Sequence, residues 1–185
     1  MRKRLNVDKI SDLLDKNKTD SLMIVSDVDG ILTNGIIGYT KDGKVMKFFG
    51  GHDKEAIQLA VNHLGCYINF VSDDKIGWDI TEARLSHIRE IDPMRIGYQI
   101  ANAETRKQLV QNYIEHGYKV LFIGDSISDI PAMSVATYAA TTKNSAKLVQ
   151  QYVDYVSTEK GGEGGFADIL MHFIIEPNLN SLTRI

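Results

Sequence analysis

The sequence predicts an α/β protein: a Rossmann-like parallel sheet with helices on both faces. Three observations carry this. Short apolar runs of strand length recur at 22–25, 67–71 and 119–123, and a strand apolar throughout is one buried on both faces. Between them lie longer stretches whose apolar residues fall three or four apart, as on a helix face. The two kinds of segment alternate, and strand–helix alternation places crossover helices over a parallel sheet.

Taken in order, residues 1–20 carry Leu5, Val7, Ile10, Leu13 and Leu14 at roughly helical spacing. They are expected to form an N-terminal helical extension to a domain over 21–176. The first strand, at 22–25, runs into Asp27 and Asp29 and is broken by Gly30 and the Thr33-Asn34-Gly35 cluster. Two β-prone runs, 36–39 and 45–49, then flank Asp42-Gly43, a strong hairpin signal. A helix is expected over 53–64, with Ala56, Leu59, Ala60 and Leu64 on one stripe and Gly65 ending it. Strand 67–71 is followed by a helix over about 75–85 and a short strand at 88–91. The stretch 94–100 has no clear pattern. Helix 103–116, strand 119–123, helix 130–135, strand 137–140, helix 145–152 and strand 155–156 follow. Gly161-Gly162-Glu163-Gly164-Gly165 reads as a flexible loop, 166–175 as a closing helix, and 177–185 as a loose tail.

Composition bounds the function. With 185 residues there is room for one domain with a sizeable core. Hydrophobic residues at 43% and charged residues at 24% place the chain among soluble globular proteins. A formal net charge of -3 argues against nucleic acid as the main partner. No apolar run reaches the length of a membrane span. The basic start Met1-Arg2-Lys3-Arg4 is followed by Asp8, Asp12 and Asp15, where a secretory signal is apolar. The single cysteine, Cys66, cannot form a disulfide within the chain, so a reducing, cytoplasmic setting is expected.

The chemistry sits at strand ends. Asp27 and Asp29 close a buried strand, where open α/β sheets bind ligands. Two carboxylates that close suit a hard cation such as Mg²⁺, or a nucleophile paired with a general acid. An EF-hand calcium loop is excluded, because Gly30 follows Asp29 at once and no third acid precedes it. Ser72 ends the second apolar strand, where a hydroxyl can donate to a phosphate oxygen. The third apolar strand ends in Gly124-Asp125, with Asp129 four residues on.

Asp27-Val28-Asp29-Gly30-Ile31-Leu32-Thr33 resembles the first motif of the haloacid dehalogenase superfamily, DxDGxxT, and Gly124-Asp125 with Asp129 resembles its fourth, GDxxxD. Within the superfamily the chain is similar to the capless sugar-acid phosphatase group. The hairpin, Phe49-Gly50-Gly51-His52-Asp53, and Asp154-Tyr155-Val156 with Gly161-Gly162-Glu163-Gly164 all have counterparts there. The resemblance implies a haloacid dehalogenase-like domain with no cap domain and a β-hairpin flap. It implies a Mg²⁺-dependent phosphomonoesterase acting on a sugar or sugar-acid phosphate through an aspartyl-phosphate on Asp27, with Asp29 as acid and base. Mg²⁺ would be held by Asp27, Asp125 and the backbone carbonyl of Asp29, with Asp129 beside the metal or behind it. Ser72 and either Arg106 or Lys107 would hold the phosphoryl group, and His52 would contact substrate. A homo-oligomer, expected to be a tetramer, would form through the hairpin.

The chain departs from the group in its arginines. His52 and Asp73-Asp74 stand where the group carries Arg and Gly-Arg, and no Arg follows the glycine loop. A substrate less anionic beyond its phosphate is therefore expected. The same departures motivate an alternative reading, a catalytically weakened module that keeps the fold for binding or assembly.

Overall fold

The structure is a computed structural model and describes residues 22–179. The N-terminal extension expected at 1–20 lies outside the described residues, as do 180–185. Eight strands are formed among the described residues. β1 (Leu22–Asp27), β4 (Tyr67–Ser72), β5 (Ile96–Ile100), β6 (Lys119–Ile123), β7 (Tyr138–Thr141) and β8 (Tyr155–Val156) build one sheet in the order β5-β4-β1-β6-β7-β8. Every pairing in it is parallel. β2 (Thr33–Thr40) and β3 (Gly43–Phe49) form a separate antiparallel hairpin.

Side chains alternate between the two faces of each central strand, and both faces are apolar. Leu22, Ile24, Ile68, Phe70, Leu121 and Ile123 point into one core cluster. Met23, Val25, Val71, Val120 and Phe122 point into the other. The first core is covered by α1 (Asp53–Gln58), α2 (Trp78–Arg89) and α5 (Gly165–Leu170), through Ile57, Leu85 and Phe166. The second is covered by α3 (Ala103–Glu115) and α4 (Ile130–Val135), through Val110 and Met133.

Four expectations need correction. The strand expected at 88–91 is the end of α2, because Leu85 and Ile88 lie three apart on one buried stripe. The strand that pairs with β4 is instead Ile96–Ile100, inside the stretch without a pattern. The helix expected at 145–152 is reduced to a single 3₁₀ turn, Val149–Gln151. The tail is held at its start: Glu176–Asn178 form a 3₁₀ turn, and the buried Asn178 donates to Ile174 O at 2.7 Å.

The chain leaves β1 for β4 and β5 on one side, then crosses to β6 on the other. The crevice at the carboxyl end of β1 is thus the topological switch point of the sheet. The turn that follows β1 is tightly built. Val28 O accepts from the amides of Ile31, Leu32 and Thr33, and Thr33 Oγ1 accepts from Gly30 N at 3.1 Å. The glycine loop expected to be flexible packs onto this turn. Gly162 N donates to Ile31 O at 3.1 Å, and a Cβ at Gly161 would lie 1.8 Å from Gly30 O. Gly161→Ala should therefore lower unfolding stability by about 1–3 kcal/mol, measured by chemical denaturation. An unchanged midpoint would show that the loop does not clamp the turn.

Candidate active site

The site gathers at the carboxyl ends of β1, β4 and β6. Parallel register brings Asp27 level with Val71, and Ser26 level with Ile123. Ser72 and Gly124-Asp125, one step further along, therefore emerge on either side of Asp27. A cavity of about 260 Å³ opens there. Of the residues expected to form a site, Asp27, Asp29, Ser72, Arg106 and Asp125 line it.

Arg106 organises the floor. Asn102 caps α3, accepting from Thr105 N at 2.9 Å, and this sets Arg106 in the first turn. Its Nε donates to Ala101 O at 2.9 Å. Its two terminal nitrogens reach Asp27 Oδ1 at 3.1 Å and, by a short contact, Asp129 Oδ1. All three side chains are buried. Lys107, the other candidate for the phosphoryl contact, is half-buried and does not line the cavity.

Asp129 is turned away from the cavity. Its second oxygen accepts from the amides of Asp125 and Ser126 at 3.1 and 3.0 Å, and from Ser126 Oγ at 2.8 Å. With Oδ1 on Arg106, both its oxygens are used, and it shapes the loop that presents Asp125. Carboxylate oxygens of Asp27, Asp125 and Asp129 lie within 4.8 Å of one another. That crowding is costly without a counter-charge. Burial, then Asp129, push the Asp125 carboxyl up to about 7. Burial and the neighbouring acids raise Asp27 well above the carboxylate range, against the pull of Arg106. An all-oxygen acidic set fits a hard divalent cation, which would relieve this repulsion. Gly30 makes room for the approach of Asp125. It adopts φ 85°, and a Cβ there would sit 2.0 Å from Asp125 Oδ2.

Asp29 lies outside that acidic set. Its Oδ2 accepts from Lys47 Nζ at 2.9 Å and from Ser72 Oγ at 3.1 Å. Its Oδ1 is buried with no hydrogen-bond partner among the described residues. Lys47 is a site residue that the sequence analysis missed. It comes from β3, its side chain is fully shielded from solvent, and it also donates to Thr81 Oγ1 at 2.8 Å and pairs with Asp74 Oδ2 at 2.9 Å. A lysine between Met46 and Phe48, inside the otherwise apolar run 45–49, was the available signal.

Lys44, also on β3, pairs with Asp74 Oδ1 at 2.5 Å and lines the cavity. Burial raises the Asp74 pKa, but hydrogen bonds from Lys44, Lys47 and Gly77 N outweigh it and push the carboxyl down to about 2. Asp73 lines the cavity mouth and is exposed. His52, expected to meet substrate, is exposed just ahead of α1 and does not line the cavity.

No protein-family model matches the chain. It is 25% identical over 152 residues to the 3-deoxy-D-manno-octulosonate 8-phosphate phosphatase of Haemophilus influenzae, a match spanning 79% of this chain and 78% of that protein. The fold is similar to that of the Moraxella catarrhalis 3-deoxy-D-manno-octulosonate 8-phosphate phosphatase, solved with magnesium, phosphate and the sugar acid. That structure has a TM-score of 0.76 at 20% identity and covers 97% of this chain and 98% of its own. A Legionella pneumophila hydrolase of haloacid dehalogenase subfamily III A gives a TM-score of 0.70 at 15% identity, over 96% of this chain and 98% of its own. The parallel sheet with its switch point at β1 and the separate hairpin beside it thus form a fold similar to that of these solved phosphatase and hydrolase structures.

Proposed function

We propose that the protein is a Mg²⁺-dependent phosphomonoesterase acting on a sugar or sugar-acid phosphate through an aspartyl-phosphate on Asp27. One observation carries the reading. A buried carboxylate at a strand end is held by Arg106 and faces a cavity that also contains a second carboxylate with one buried, unpartnered oxygen. The similarity to named phosphatases supports it.

Asp27 Oδ1 is held by Arg106 and by Val28 N at 2.9 Å, which leaves Oδ2 to attack phosphorus. As the Oδ2–P bond forms, the bond from phosphorus to the ester oxygen breaks. Asp29 delivers a proton from Oδ1 to that departing alkoxide. The resulting carboxylate then takes a proton from water as the water attacks phosphorus and releases Asp27. Lys47 holds Asp29 by its other oxygen through both steps, while the Ser72 hydroxyl, which donates to that oxygen in this structure, turns to the phosphoryl group. Ser72 and the remaining N–H groups of Arg106 hold the phosphoryl oxygens. Asp27, Asp125 and the backbone carbonyl of Asp29 would hold Mg²⁺, which would supply the positive charge that lets a carboxylate approach an anionic phosphoryl group.

The hairpin supports a homo-oligomer. Ile36, Tyr39, Val45, Met46 and Phe48 are between 45% and 64% exposed, far more apolar surface than a free flap needs. A tetramer built through β2 and β3 would cover it and close each cavity. Cys66 is buried and, as the single cysteine, forms no disulfide within the chain, which suits the reducing cytoplasm. No helix among the described residues is long and apolar enough to cross a membrane.

Asp27→Asn should lower kcat on p-nitrophenyl phosphate by at least about 10³-fold with the circular-dichroism spectrum unchanged, because the amide is nearly isosteric but a poor nucleophile. Steady hydrolysis by that variant would sink the mechanism. Exhaustive chelation should abolish turnover, and Mg²⁺ should restore it better than Ca²⁺, whose longer, more numerous bonds loosen in-line geometry. Full activity in the chelated protein would remove the metal from the reading. Sedimentation should give a tetramer that dissociates when Tyr39 and Phe48 are both replaced by Asp; a monomeric wild-type protein at micromolar concentration would refute the assembly.

A further inference from the structure

Resting on the phosphatase reading, we propose that the substrate is a phosphate ester of a neutral polyol, with no second anionic group, and that Asp74 is the residue that sets this preference. The argument is an inventory of charge. Five carboxylates line the cavity, those of Asp27, Asp29, Asp73, Asp74 and Asp125, against two cations, Lys44 and Arg106. Neither cation is uncommitted. Arg106 is spent on Asp27 and Asp129. Lys44 is spent on Asp74 at 2.5 Å. Lys47, just behind the wall, is shared between Asp29 and Asp74.

The phosphoryl group takes the place opposite Asp27, within reach of Arg106 and Ser72. What remains for the rest of the substrate is the mouth. Its wall consists of Ile37, the exposed Asp73 and the hydroxyls of Ser126 and Ser128, which lie 2.7 Å from each other. Hydroxyl groups of a polyol find donors and acceptors here, and Ile37 offers an apolar edge for ring or chain carbons. A substrate carboxylate meets Asp73 and no spare cation among the described residues, and like charges brought together disfavour the wrong ligand.

Asp74 decides this because of where it stands. Its Oδ1 takes Lys44, its Oδ2 takes Lys47, and Gly77 N donates to it at 3.0 Å. The carboxylate is thus fixed from three sides and holds Lys44 against the wall. Without the negative charge of Asp74, the Lys44 ammonium is released toward the mouth, where it can pair with an anionic substituent.

The test uses the full chain with Mg²⁺ and three kinds of ester: p-nitrophenyl phosphate, phosphates of neutral sugars and alditols, and carbon-matched phosphates of aldonic and 2-keto-aldonic acids. The wild-type protein should favour the best neutral ester over its matched acid by at least about tenfold in kcat/KM. Asp74→Asn should narrow that ratio through a lower KM for the acids. Adding Lys44→Met to Asp74→Asn should restore the ratio, which a merely structural role for Asp74 does not predict. A wild-type preference for the acid esters overturns the proposal, and this measurement decides it even if Asp74→Asn fails to fold. A ratio unmoved in a folded Asp74→Asn protein overturns the role of Asp74. Hydrolysis of no ester, p-nitrophenyl phosphate included, refutes the phosphatase reading itself, and this inference with it.

Discussion

The contact between Arg106 and the carboxylates of Asp27 and Asp129 is the interaction on which the site depends. Three charged groups are buried together, and the desolvation of such groups makes them poor stabilisers on balance. Removing one, however, leaves the others charged and unpaired, at a cost of about 3–5 kcal/mol. The cluster therefore acts as a constraint. It ties the first turn of α3 to the end of β1 and to the loop after β6, three segments that the chain brings together only through the parallel sheet. Asp129 extends the tie by accepting from the amides of Asp125 and Ser126, so the orientation of Asp125 follows from the same guanidinium.

A second tie comes from the hairpin. β2 and β3 belong to no larger sheet, and nothing in their own pairing fixes them over the cavity. Lys47 and Lys44 do so electrostatically. One reaches Asp29, both reach Asp74, and Thr81 receives Lys47 from below. A shielded lysine persists there because two carboxylates and a hydroxyl replace its water. The flap therefore supplies a cationic neighbour to Asp29 as well as a wall. Deleting it would remove both at once, which makes point changes on its exposed apolar face the cleaner probe of assembly.

The central fold was legible because β1, β4 and β6 are apolar on both faces and announce themselves as buried runs. β5 was not, because Ile96-Gly97-Tyr98-Gln99-Ile100 is an edge strand, half-buried and interrupted by Gly and Gln. At the site, the acids were legible because a carboxylate directly after a buried strand has few structural reasons to be there. The choice between Arg106 and Lys107 was not, since spacing alone does not give the rotation of α3. One residue along a helix turns the side chain by about 100°, and the Asn102 cap starts the helix so that Arg106 faces β1 while Lys107 turns from the cavity. His52 was placed by its neighbours in sequence, but the first turn of α1 leaves it in solvent.

Asp73-Asp74 posed the sharpest disagreement between pattern and chemistry, since extra acids beside an anionic substrate repel it. The hairpin resolves it for one of the two. Asp74 is bound by two lysines that lie 27 to 30 positions earlier in the chain, a pairing no local reading can reveal. It presents the cavity with a neutralised pair, not a bare charge. Asp73 has no such cover and keeps its carboxylate at the mouth. The two adjacent acids thus act in the same sense by different routes. One removes a cation from the wall, and the other leaves an anion on it. Both effects lower the positive potential at the cavity mouth while leaving Arg106, Ser72 and the three strand-end acids in place. The strand-end residues and the hairpin with the loop that meets it thus shape different parts of one cavity, the first its floor and the second its mouth.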